Sequence, residues 1–312
     1  MKKIATREAY GEALAELAKI NDKVVVLDAD LSKSTKTASF KEVCKERFIN
    51  VGIAEQNMVA TAAGLAAAGM IPFASSFAIF ASGRAFEIVR NSVAYPKLNV
   101  KIAATHAGLT VGEDGATHQA IEDISIMRSI PNMTVINPAD GVEAKAAILK
   151  IAEYNGPAYI RLGRSKVPVI FDEDTYEFEI GKGIQLSEGN DVSIIATGIM
   201  VSEALKAKDI LEKENIKARV INIHTIKPID EDIIIKAAKE TGAIVTAEEH
   251  SIIGGLGSAV AEVVSEKAPA LMKRIGVNDT FGESGDGSEL LAKYGLTAED
   301  IAKAAREIIA NK

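Results

Sequence analysis

Short apolar runs alternate with helix-period stretches along the chain. VVVL at 24 to 27, FINV at 48 to 51, VKIAAT at 100 to 105, TVIN at 134 to 137 and AYIRL at 158 to 162 are β-branched and predict strands. Between them REAYGEALAELAKI, an Ala-rich run from Glu55, RAFEIVRNSV and DGVEAKAAILKIAE predict helices. The strands are apolar on both faces, so they belong to a mainly parallel sheet covered by helices.

After Arg164 the pattern lapses. SKVPVIFDEDTYEFEIGKG is dense in acids and lacks a helical period, and the alternation then restarts with VSIIATG at 192 to 198. A helix over 200 to 214 follows, then ARVINIHTI as a strand, a helix over 230 to 240, AIVTAEEH as a strand, a helix from about Leu256 and two C-terminal helices. The expectation is an α/β chain of two doubly wound units, 1–166 and a smaller 189–312, joined by a linker at 167–188. Its length of 312 residues also suits two domains. In such units ligands bind beyond the carboxyl ends of the strands.

Residues 58 to 83 form a charge-free run longer than a membrane span. It is rich in Ala, carries Thr61, Ser75, Ser76 and Ser82, and is split by Gly69 and Pro72. A buried helix followed by a buried strand fits it better than a span.

Charge narrows the partners. Lys plus Arg number 36 against 43 Asp plus Glu, a net −7 without a dense basic run, so nucleic acid is not an expected partner. The lone Cys44 has no disulfide mate and belongs to no metal-ligand cluster, and its simplest reading is a buried thiol. Arg7 and Glu8 interrupt any apolar secretory segment. A cytoplasmic protein without a membrane span is expected.

Polar groups gather where strands end. THAGLTVGEDGATHQAIED, residues 105 to 123, follows the strand VKIAAT and holds two of the four histidines. Gly108, Gly112 and Gly115 make it a turning loop that can aim His106, Asp114 and His118 into one cleft. It reads equally as a surface loop held by its own Asp and Thr hydrogen bonds.

Glu55, at a helix start, reads more simply as a first-turn carboxylate favoured by the helix dipole than as a catalytic acid. Phe77 and Phe80 read first as core, although an aromatic pair at a strand's end can also stack on a planar heterocycle. Arg7, Ser34 and Arg164 each suit a solvated side chain; together they are candidate phosphate anchors. The GDG at 285 to 287 imitates a diphosphate and magnesium motif, but no strand is read before it and Asn311 lies at the chain end.

FINVGIAEQNMVATAAGLA, PFASSFAIFA and THAGLTVGEDGATHQAIEDISIMRSIPNMTVINPAD resemble the pyrimidine-binding domain of the thiamine-diphosphate-dependent transketolases. VTAEEHSIIGGLGSAVAE is similar to the start of the transketolase C-terminal domain. The resemblance covers nearly the whole chain, with GEDGATHQ its most specific part. A full-length transketolase has three domains, the first carrying the diphosphate and metal site, so the resemblance implies the C-terminal subunit of a split enzyme. An N-terminal partner chain would bring thiamine diphosphate's Mg2+ or Ca2+ site, with self-association as a dimer and a heterotetramer with the partner.

By the same resemblance Glu55 hydrogen-bonds the aminopyrimidine and is catalytic, Phe77 and Phe80 flank the ring, and Asp30 lies at the cofactor site. His106, Asp114 and His118 bind the sugar's hydroxyl and keto oxygens, with His118 also catalytic. Arg7, Ser34 and Arg164 hold the sugar phosphate, and no metal ligand falls in this chain. The implied reaction moves a two-carbon glycolaldehyde unit from a ketose phosphate to an aldose phosphate, as in the pentose phosphate pathway.

Two positions depart from the family pattern. Ala54, Glu55 and Gln56 stand where full-length members often have Arg-Glu-His, and Gly83 replaces an aromatic one turn after Phe80. Rival readings are 1-deoxyxylulose-5-phosphate synthase, which carries an Arg at the Phe80 position, a 2-oxo acid dehydrogenase beta subunit, and a non-catalytic regulatory paralogue.

Overall fold

A computed structural model describes residues 2–312. The first half holds β1 (Lys3–Ala5), β2 (Val24–Asp28), β3 (Phe48–Asn50), β4 (Ile71–Phe77), β5 (Lys101–Thr105), β6 (Thr134–Ile136), β7 (Ala158–Arg161) and β8 (Lys166–Pro168). The second holds β9 (Ile184–Ser187), β10 (Val192–Ala196), β11 (Ala218–Asn222), β12 (Thr225–Lys227), β13 (Ala243–Ser251) and β14 (Leu271–Val277). The larger sheet runs β12-β6-β7-β5-β4-β2-β3 and the smaller β14-β13-β10-β11-β9. All pairings within them are parallel except β12 on β6 and β9 on β11.

Every residue of β2, β4, β5 and β10 is buried, because helices cover both faces of each sheet. On one face of the larger sheet Leu27 and Ile102 pack with Met58 and Val59 of the helix Glu55–Ala67. On the other, Val26 and Phe73 meet Tyr10 and Leu14 of the helix Thr6–Ile20. Each such side chain contributes about 1.5–3 kcal/mol when fully buried. The charge-free run does form a helix followed by the buried strand β4. Pro72 is tolerated there because β4 pairs with β5 only from Phe73 onward. Among the described residues no helix is long and apolar enough to cross a membrane.

Three local readings need correction. ARVINIHTI is two strands in two sheets: after Asn222 the chain turns at Ile223 and His224, and β12 pairs antiparallel with β6. Its alternation of apolar and polar residues runs on past Asn222 with no Gly or Pro to mark a turn, and Ile226 buries itself in the core of the first unit. Segment 167–188, read as a linker, is folded onto both units: β8 pairs with β1, Phe178 is buried beside Leu162, and β9 edges the smaller sheet. RAFEIVRNSV is not one regular helix, since wide π-type turns over Phe80–Arg84 and Val89–Ala94 flank a short α-helical turn. β14 and the helix Asp123–Ser129 were not read at all. Asp286 of the GDG caps the helix Gly287–Lys293 by accepting from the amides of Ser288 and Glu289.

Glu143 joins the two units. Its Oε1 accepts from Tyr176 Oη at 2.6 Å and Asn222 Nδ2 at 2.8 Å, and its Oε2 from the Ala139 amide at 2.6 Å. Burial pushes this carboxyl up from 4.5 to about 7, against those bonds. The folded chain therefore holds a proton that the unfolded chain has released across this window. Stability contributed by Glu143 is present below about 4.5 and falls as pH rises to about 7. Glu143→Gln should remove a loss of about 3 kcal/mol from the stability difference between pH 5 and pH 8. Denaturant midpoints at the two pH values check this, and equal pH dependence in both proteins would refute it.

Candidate functional site

Parallel pairing brings the carboxyl ends of β2, β4, β5 and β7 to one edge of the larger sheet. Asp30 follows β2, Phe77 ends β4, His106 follows β5 and Arg164 follows β7. The helix that opens with Glu55 begins after β3 on the same edge.

Glu55 is only 1% exposed. Its Oε2 accepts from Arg84 Nη1 at 2.7 Å and its Oε1 from Ser76 Oγ at 3.3 Å. Arg84 reaches in from solvent, with its side chain 45% exposed and its guanidinium 4.5 Å over the Phe80 ring. The carboxylate thus has a charged partner on the open side and a hydroxyl on the sheet side, as a buried charge requires.

Beside it stands an aromatic wall. Phe77 and Phe80 lie nearly parallel with centroids 6.1 Å apart, and the His106 ring stacks on Phe77 at 3.8 Å. His118 meets the edge of Phe80 at 5.4 Å. Phe77 is buried and Phe80 half-buried, so the pair belongs to the site as much as to the core.

His106 adopts φ +57, a left-handed conformation uncommon outside glycine. Its Nδ1 shares a 2.9 Å hydrogen bond with the Thr105 hydroxyl. Burial first, then the charges of Arg7, Arg164 and His118, push its pKa down from 6.5 to about 3, so the ring is neutral near pH 7.

That shift reports a cationic cluster. Arg7 donates to the Ser34 carbonyl at 2.7 Å and has a buried Nε without a protein partner. Burial and then the Arg164 charge push its pKa down, against Glu8. Arg164 donates to the Val111 carbonyl and lies 3.9 Å from Glu113. Two guanidinium groups beside a neutral imidazole suit an anion with several acceptor oxygens.

The loop after β5 turns as its glycines require. Gly108, Gly112 and Gly115 have φ of +80, +81 and +72, and the stretch Leu109–Asp114 coils in 3₁₀ fashion around them. Gln119 Nε2 fastens it by donating to the Leu109 carbonyl at 3.1 Å and the Glu283 carbonyl at 2.9 Å.

The structure therefore unites Phe77, Phe80, His106 and His118, sets Glu55 beside them through Arg84, and joins Arg7 to Ser34 and Arg164. Asp114 is exposed at the end of the 3₁₀ turn, and the exposed Asp30 faces Asn50, whose Nδ2 donates to its Oδ1 at 3.0 Å. Sequence reasoning missed Arg84 and Ser76. Arg84 lies in a stretch read as an ordinary helix, and only the π-type turn brings it onto Glu55. Ser76 sits in a buried strand where the hydroxyl was the available signal.

The model of the transketolase pyrimidine-binding domain matches residues 2–169, and that of the transketolase C-terminal domain matches residues 181–301. A Methanocaldococcus jannaschii protein provisionally named a transketolase C-terminal section is 58% identical over 95% of this chain and 94% of its own length. The 6-deoxy-6-sulfo-D-fructose transketolase subunit of Clostridium sp. (strain MSTE9) is 48% identical over 98% and 95%. The Homo sapiens transketolase is 38% identical over 98% of this chain, which spans 49% of that longer protein. A split-gene transketolase solved as an inactive beta4 tetramer superposes with a TM-score of 0.93 at 59% identity, covering 98% of this chain and 99% of that one. The chain belongs to the transketolase family.

Proposed function

We propose that this chain is the C-terminal subunit of a split transketolase, which moves a two-carbon glycolaldehyde unit from a ketose to an aldose with thiamine diphosphate and a separate N-terminal chain. The observation that carries the reading is the buried Glu55 carboxylate beside stacked Phe77 and Phe80, at the same sheet edge as the Arg7 and Arg164 cations. Relatives that match the chain end to end, and a longer one of which it spans half, support the division between two chains.

The donor set fits the pyrimidine half of the cofactor. A heteroaromatic ring takes a flat apolar wall and a carboxylate for its ring nitrogen, and both are present together. Bound there, thiamine diphosphate would supply the electron sink that the protein lacks. Glu55 would hold a proton between its carboxylate and the ring nitrogen, Phe77 and Phe80 would orient the ring, and Asp30 would face the cofactor from the end of β2. The diphosphate and its Mg2+ or Ca2+ are assigned to the partner chain.

The sugar lies toward the loop in this reading. His106, neutral and buried, accepts or donates a hydrogen bond to the sugar without carrying charge. Asp114 and His118 bind hydroxyl and keto oxygens, and His118 moves the hydroxyl proton. Arg7, the Ser34 segment and Arg164 hold the anionic end. The site is open in the single chain, with Asp30 and Asp114 exposed and the Arg164 side chain 37% exposed. An open site on this subunit, and the inactive state named for the similar split-gene tetramer, support activity only with the partner.

The similar sulfo-D-fructose transketolase subunit bears on the choice of sugar. A sulfonate and a phosphate offer the same kind of anionic oxygens to two guanidinium groups. The chain, its partner, thiamine diphosphate and Mg2+ should be assayed with ribose 5-phosphate as acceptor, using xylulose 5-phosphate and 6-deoxy-6-sulfo-D-fructose as donors. Transfer from either donor supports the ketol-transfer reading, the faster one names the donor class, and transfer from neither refutes both.

Arg164→Ala should lower kcat/KM for an anionic donor about tenfold to a hundredfold, from loss of a charge-assisted hydrogen bond. An uncharged donor should lose little. Equal losses for both would remove the anchor assignment.

A further inference from the structure

Glu248 and Glu249 are consecutive in β13, where the strand slips register with β14 between Ala247 and Ser251, and they serve different elements. Both are buried, at 1% and 4% exposure. Glu248 caps the helix Leu256–Lys267, accepting from the amides of Leu256 at 2.7 Å and Gly257 at 2.8 Å. Glu249 caps in the same manner, but across the boundary between the two units. Its Oε1 accepts from the Thr110 amide at 2.6 Å, where the loop after β5 enters its 3₁₀ turn.

The other end of that loop is tied to the same residue. Arg161 Nη2 donates both to the Glu249 carbonyl at 2.9 Å and to the Ala120 carbonyl at 3.1 Å. Asp123 accepts from Arg161 Nε at 3.0 Å and fixes that guanidinium. The loop closes on itself between them, with the Gly108 amide donating to the Ala120 carbonyl at 2.8 Å. Gly108 lies so close to Glu249 that a Cβ there would overlap the carboxyl group. Residues 108 to 120 thus form a closed loop, held at one end by the Glu249 side chain and bridged at the other to the Glu249 carbonyl through Arg161, with Asp114 and His118 between those ends.

We propose that Glu249 is a positioning residue for two-carbon transfer: the second unit uses it to set the loop that presents Asp114 and His118 to the sugar. This rests on the reading of that loop as the sugar site. The hydrogen bonds of Glu249 run to the Thr110 amide and Arg161, and Glu55 binds Arg84 and Ser76 instead, so the effect of Glu249 should fall on the sugar and spare the cofactor.

The test uses the chain with its partner, and the chain alone. In the reconstituted enzyme Glu249→Ala should raise KM for the ketose donor tenfold or more, with half-saturating thiamine diphosphate within twofold of wild type. Glu249→Gln keeps an oxygen for the Thr110 amide and should recover most of the loss. In the isolated chain, amides 108–120 should exchange faster in Glu249→Ala while those of β10 stay protected. Where Glu249→Ala does not fold, Glu249→Asp, which withdraws the carboxyl from Thr110, takes its place. If wild-type chain and partner transfer no two-carbon unit, the functional reading fails and the exchange experiment still decides whether Glu249 holds the loop. A wild-type enzyme that works, beside a variant that changes neither donor KM nor loop exchange, overturns the proposal. Parallel loss of cofactor and sugar binding overturns it as well.

Discussion

Replacing Glu55 with alanine is expected to lower two-carbon transfer by about two to four orders of magnitude, the range of a positioned proton-transfer group. The chain should keep its fold. Arg84, the strong partner of Glu55, has a side chain 45% exposed and turns to water when the carboxylate is gone, so no buried charge is stranded. The other bond lost, from Ser76 Oγ at 3.3 Å, is long. Assembly with the partner and thermal stability should therefore change far less than kcat. The check is kcat and melting temperature for the same reconstituted preparations, and a rate near that of wild type would remove Glu55 from the mechanism.

Gly108→Ala is expected to damage both stability and activity. Gly108 has φ +80 and ψ −174, a region that is essentially glycine-only and costs about 1–3 kcal/mol for other residues. The added Cβ would also overlap the Glu249 carboxyl, and overpacking of this kind adds about 1–3 kcal/mol. A loss of about 2–6 kcal/mol follows from the two together. The steric part has its own signature: Glu249→Ala in the same chain removes the overlap, so the double variant should lose less than the sum of the single losses. Denaturation midpoints of the four proteins test it. An unchanged midpoint in Gly108→Ala, or strict additivity in the cycle, would contradict this packing.

Apolar runs such as VVVL and VKIAAT made the two sheets legible, because strands buried on both faces leave an unbroken apolar signal. β8, β9 and β12 left no such signal: each has only three or four residues and pairs at an edge or in a separate two-stranded ribbon. In the site, His106, Asp114 and His118 were legible as one loop group and Phe77 with Phe80 as an aromatic pair read first as core, but the stacking that brings the rings together was not, and Asp114 stays exposed. Arg84 was hidden by a departure from regular helix geometry. Glu249 was hidden because an acid in an apolar strand gives no sign, by spacing, that its partner is an amide more than a hundred residues earlier. The contacts between units depend on tertiary approach, and local periodicity does not encode that.

Under the proposed function this chain supplies half of an active site. The most direct measurement holds thiamine diphosphate, Mg2+ and sugar phosphates at saturation and titrates the chain into a fixed amount of its N-terminal partner. The rate should be absent with either chain alone, rise with added chain and level off at one equivalent. A full rate from either chain alone, or no rate from the folded mixture, would contradict the account.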